Sequence, residues 1–173
     1  MAMTLSGAIR SDLSLNATNA FDLANGSVPL RNKQTQTISS TAATLTCNLI
    51  YQVEGTLGLA GVDNIDLDSV LFDYWGDALD YDEVYAIYIR NTTTGAGAGE
   101  SILSVGANAT PFPWCFGNPA ACTVEISPGG FVLSSAGVDA GWAVGAGATD
   151  ILDITNLDAA NAATYEIVII GKE

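Results

Sequence analysis

The sequence predicts an all-β protein: an antiparallel β-sandwich, with the strand count of a jelly roll, preceded by an extended N-terminal arm. Short runs alternate apolar and polar side chains with period two, as a strand with one buried face does. Gly, Pro, Asn and Asp gather between those runs and supply the turns. No stretch carries a convincing apolar stripe of helical period, because the abundant Ala sits beside Gly, Thr and Asn.

Residues 1–33 form the first unit. Isolated apolar residues stand among Ser, Asn, Asp and Thr without a sustained period, and Pro29 interrupts them. An arm of this kind is expected to be ordered only where it meets a partner. Residues 34–173 form the second unit, a single sandwich domain. In LTCNLIYQVEG (45–55), Leu45, Cys47, Leu49, Tyr51 and Val53 share one face of a strand, and Thr46, Asn48, Gln52 and Glu54 share the other. Residues 57–82 leave room for a short helical turn. EVYAIYIRNT (83–92) is a more apolar strand, and GAGAG (95–99) is a turn leading to ESILSVGA (100–107). CTVEIS (122–127) and GFVLSS (130–135) flank Pro128-Gly129-Gly130, which reads as a hairpin turn. TDILDITNL (149–157) and ATYEIVIIG (163–171) follow, joined by a short connection. The last strand is nearly all β-branched or aromatic, a composition that calls for neighbours on both sides.

With 173 residues, 49% of them hydrophobic, the chain can bury one real core. No apolar run approaches the roughly 20 residues of a membrane helix, and the first residues lack the basic and apolar regions of a secretory signal. Nineteen acidic and five basic residues give a net charge of −14. That charge leaves no basic face for nucleic acid and disfavours anionic membranes. The imbalance is uneven. Residues 1–33 hold Arg10, Arg31 and Lys33 against Asp12 and Asp22, whereas the remainder holds only Arg90 and Lys172 against all the other acids.

There is no histidine, which excludes Ser-His-Asp and Cys-His catalysis and any histidine-bound metal. Cys47 reads as a small core residue. Cys115 and Cys122 bracket a turn-rich loop, and the sequence leaves a bridge between them open. The acid-rich stretch from Glu54 to Glu83 offers hard oxygen ligands, with Asp63, Asp66 and Asp68 as candidates for Ca²⁺. It lacks the Gly and terminal Glu of an EF-hand loop, and Asp66 and Asp68 alternate with Ile65 and Leu67 as on the wet face of a strand. Solvated surface, without cofactor, is therefore expected. Trp75, Trp114 and Trp142 suit a sugar platform if they stand in a row, and packing if they do not. Four N-x-S/T sequons, at Asn16, Asn25, Asn91 and Asn108, carry little weight in a chain this rich in Asn, Ser and Thr.

From Ile126 onward three segments read as one unit. Pro128, Gly129 and Gly130 precede an apolar strand; Asp150, Leu152, Ile154 and Asn156 mark the next; Tyr165, Ile167, Ile169 and Gly171 mark the last. This order resembles the C-terminal half of small jelly-roll proteins that decorate, or cement, the heads of tailed bacteriophages, and EVYAIYIRNTT extends the likeness to residues 83–171. The resemblance implies a homotrimer on the outer surface of a phage capsid, bound to the major capsid protein, made in the bacterial cytoplasm and without catalytic residues. The arm is then the expected anchor, with Arg10, Arg31 and Lys33 meeting capsid carboxylates and Leu5, Ile9, Leu13 and Leu15 filling grooves. The alternative is a carbohydrate-binding β-sandwich, borne on a virion or elsewhere.

Overall fold

The structure is a computed structural model that describes residues 6–20, 25–39, 47–68, 71–73, 75–94, 101–106, 111–114, 123–136, 140–147 and 149–173. Strands β1 (Ser6–Ala20) and β2 (Asn25–Ser39) pair with each other along their whole length, from Ser6 opposite Ser39 to Ala20 opposite Asn25. The segment expected as an arm without strands is thus a two-stranded antiparallel ribbon, and its pairing runs on past Lys33. Each strand alone shows a broken alternation, and only their pairing assembles one pattern. Pro29 is tolerated because both strands of a two-stranded ribbon are edges.

The rest is a sandwich. One sheet has the order β10 (Phe131–Ser135), β7 (Glu83–Asn91), β13 (Ala163–Lys172), β3 (Leu49–Leu57), with β11 (Trp142–Ala143) also on β7. The other has the order β4 (Val62–Asp66), β12 (Ile151–Asn156), β8 (Leu103–Gly106), β9 (Thr123–Ile126). All ladders are antiparallel, and β5 (Leu71–Phe72) and β6 (Ala78–Leu79) form a small separate pair. The sheets pack against each other, with no helix among the described residues. The described residues of 57–82, where the sequence left room for a short helical turn, form short strands and turns instead.

The core lies between the sheets. Leu49, Val84, Ile87, Ile89, Ile167 and Ile169 from the first meet Ile65, Leu103, Val105, Ile126, Leu152 and Ile154 from the second. β13 alternates buried and half-buried residues along its full length and lies between β3 and β7, so its composition is explained by neighbours on both sides. Cys47 is fully buried, and that burial pushes its thiol up to about 11. Cys115 and Cys122 lie outside the described residues, and so does Leu5.

The hairpin expected around Pro128-Gly129-Gly130 is not one. β9 pairs with β8 and β10 pairs with β7, so the turn carries the chain from one sheet to the other. The tight turn itself is present, with Gly129 at φ 77° and the Gly130 amide donating to the Ser127 carbonyl at 2.8 Å. The end of β7 holds it: the Gly129 amide donates to the Asn91 carbonyl at 2.9 Å, and the Asn91 amide donates to the Gly130 carbonyl at 3.0 Å.

Candidate functional site

Register divides the ribbon into two unlike faces. Paired residues and alternate positions share a face in an antiparallel ladder. One face therefore carries Ile9, Leu13, Leu15, Ala17, Val28, Leu30 and Ile38 among Gly, Ser11, Asn19, Asn32, Gln34 and Gln36, and no charge. The other carries Arg10, Asp12, Arg31 and Lys33 among Ser, Thr and Asn, with Asp12 directly opposite Lys33. Ala8, Arg10, Lys33 and Thr35, all on that polar face, are exposed. The expected anchor residues are thus brought into one element but onto opposite faces: Arg10, Arg31 and Lys33 on one, Ile9 on the other.

The cation candidates do not converge. Asp63 on β4 accepts a hydrogen bond from the Tyr165 hydroxyl, a contact between the two sheets. Asp66 accepts the Asp68 amide at 3.0 Å, a turn that closes the end of β4. Ile65 and Leu67 are buried, as the alternation predicts, while Asp66 and Asp68 are half-buried. Desolvation, and then the carboxylates of Asp80, Asp150 and Asp66, raise the Asp68 pKa. Among the described residues no three Asp, Glu or Cys side chains stand where they could hold a metal ion.

The three tryptophans are not in a row. Trp114 is buried in the core, and Trp142 is half-buried with its ring edge-on to Phe112 at 6.3 Å. Only Trp75 is largely exposed, at 70%, beside a shallow groove lined by Ile50, Gln52, Val53 and Glu54. Trp114 therefore finds its cover within the chain and needs no subunit contact.

Buried amides hold the loops. Asn91 is fully buried, and its side-chain nitrogen donates to the carbonyls of Ser101 at 2.8 Å and Ile126 at 2.9 Å. That leaves no free amide for a glycan at this sequon in the folded chain. Asn156 does the same for Gly58 at 2.9 Å and Asn161 at 2.8 Å, and its oxygen accepts the Asp158 amide at 3.0 Å. Asp158 in turn accepts from the Asn161 side chain at 2.8 Å and from the Ala160 amide at 2.7 Å, and these bonds lower its pKa. The motif residues Asp150, Leu152, Ile154 and Asn156 are all buried, and both Asp150 and Asn156 bind turns: the Asp150 carboxylate accepts the Gly147 amide at 2.6 Å. These positions explain the architecture; they present no chemistry to a substrate. The sequence reading missed the two-faced ribbon, whose signal appears only once positions 9–17 are aligned with 28–38. No protein-family model matches this chain, and neither a curated protein nor a solved structure does.

Proposed function

We propose that this chain is a structural protein of a phage virion that decorates and stabilises the outside of the capsid by binding major capsid protein, with no catalytic role. One observation carries the reading: a ribbon bearing three of the five basic residues is paired separately from an acidic sandwich. The basic face of the ribbon suits a carboxylate-bearing protein surface, and the sandwich keeps its negative charge toward solvent, which favours solubility on a crowded particle. The resemblance over residues 83–171 supplies the identity of that surface. Co-sedimentation with purified heads tests it. The full chain should bind saturably, and the double variant Arg10→Glu, Lys33→Glu should lose most of the binding. Undiminished binding by the variant, or none by the full chain, rejects this anchor.

Trp75 favours a second reading. An exposed indole beside Gln52 and Glu54 combines a stacking face with polar partners, as sugar recognition requires. A glycan array showing signal that Trp75→Ala abolishes would favour a carbohydrate-binding sandwich over a capsid protein.

A further inference from the structure

We infer that the open edge of β3 is a strand-addition site: it takes an extended segment of a partner protein that is apolar on one side and carries a Lys or Arg on the other. The inference goes beyond the proposed function, since it places a contact on the sandwich and makes no use of the ribbon. It starts from topology. β3 ends its sheet and pairs with β13 alone, so among the described residues its outer row of backbone donors and acceptors has no ladder. Its nine residues make it the longest open edge of the sandwich; β4 and β10 have five and β9 four. The usual guards of an edge are absent. β3 holds no Pro and no Lys, and its register with β13 runs from Leu49 to Leu57 without a bulge.

A groove lies along that edge. Ile50, Gln52 and Glu54 fall on one face of the strand and Val53 on the other, yet all four line the groove, so it follows the edge rather than one face. Trp75, from outside the sheet, forms another wall. The β5–β6 pair on either side of Trp75 comes near β3 without pairing to it. The turn that presents the indole is fixed. The Asp73 carboxylate accepts the amides of Trp75 at 2.8 Å and Asp77 at 2.9 Å, and the Asp73 amide donates to the Asp77 carbonyl at 2.9 Å.

Charge selects the occupant. On the solvent face of the sheet Arg90, Glu166 and Glu54 stand opposite one another across β7, β13 and β3. Glu166 thus has a cation on one side and a second carboxylate on the other, and like charges directly opposite destabilise a sheet. The position beyond Glu54 belongs to the added strand, and a Lys or Arg there supplies the opposite charge that this end of the row lacks. The core side calls for apolar residues. Ile167 and Ile169 of β13 are fully buried with a strand on each side, whereas Val53 and Tyr51, directly opposite them on β3, are only half-buried. An added strand with apolar residues at those positions completes their cover.

Fluorescence anisotropy of a labelled peptide, titrated with the full-length protein in 150 mM sodium chloride to screen its general charge, tests the edge. The probe is the end-blocked peptide VTVRVTV, whose valines meet the core side and whose arginine meets Glu54. It should bind saturably, and VTVEVTV should bind about tenfold more weakly. Glu54→Gln should narrow that preference and Glu54→Lys remove it. The Lys variant should stay folded, with unchanged near-ultraviolet dichroism, because Glu166 lies opposite the new cation. N-methylation separates strand pairing from plain charge attraction: methylating one alternate set of peptide amides should abolish binding, and methylating the other set should spare it. No binding of VTVRVTV, equal binding of the two peptides, a preference that survives in both Glu54 variants, or tolerance of both methylated sets overturns the inference. A protein that takes the peptide but ignores phage heads rejects the capsid reading and leaves this edge standing; one that binds heads but not the peptide rejects the edge alone.

Discussion

Gly55 and Tyr165 face each other across β3 and β13, and the absence of a side chain on one makes room for the ring of the other. A Cβ on Gly55 would run into the Tyr165 ring, which cannot retreat because it is buried and its hydroxyl is held by Asp63. Gly55→Ala should therefore cost about 1–3 kcal/mol in urea unfolding, an overpacking penalty. Asp68 should respond in the opposite direction. Its folded pKa is raised, so the folded state keeps a proton that the unfolded chain has released, and stability falls as pH rises through that window. Asp68→Asn should raise the melting temperature at pH 7, and the gain should disappear near pH 3; an equal gain at both would show that charge is not the cause. The sequence showed Asp66 and Asp68 alternating with Ile65 and Leu67. It did not show Asp80 and Asp150 beside them, because backbone bonds from Tyr81 to Leu67 and from Leu67 to Asp150 bring distant segments together.

Strands were legible where one strand alone meets the core. β7, β12 and β13 appear close to their expected limits, whereas β3 begins at Leu49, after the expected start, and runs on to Leu57. Legibility failed where pairing partners decide. The Pro128-Gly129-Gly130 turn has hairpin chemistry, yet Asn91 holds it at a crossing between sheets, and no local signal distinguishes the two. β1 and β2 failed for the same reason, since their apolar face is shared between strands. The dependence on β13 can be measured. Ile167 is fully buried opposite Val53 on one side and Ile89 on the other, so Ile167→Ala should cost about 2–5 kcal/mol in a single cooperative transition. A loss confined to local fraying would mean that the two sheets unfold separately.

Across the whole molecule the dominant quantity is net charge. The acids have few basic partners; the ion pair of Lys172 with Glu83 at 3.2 Å is one, and like charges repel over distances that salt can screen. Raising sodium chloride from 10 to 150 mM shortens the screening length from about 30 Å to about 8 Å. The melting temperature should rise across that range, the reverse of what attractive surface pairs would give. Composition made this charge legible at once. The arrangement of the ribbon depends on a register that composition cannot contain.

The position of β13 between β3 and β7 also sets a schedule. A ribosome makes both neighbours first and reaches Ala163 roughly 4–14 s after Asn91 at typical rates of synthesis. Until then two long strands wait with a vacant lane between them, each exposing backbone donors and acceptors to any passing chain. The nascent chain is therefore most vulnerable just before β13 emerges, and its acidic surface serves it then by keeping such copies apart. A truncation ending at residue 162 should collect in the insoluble fraction on expression, whereas the same truncation supplied with residues 163–173 as a separate peptide should recover soluble protein as the missing strand fills its lane.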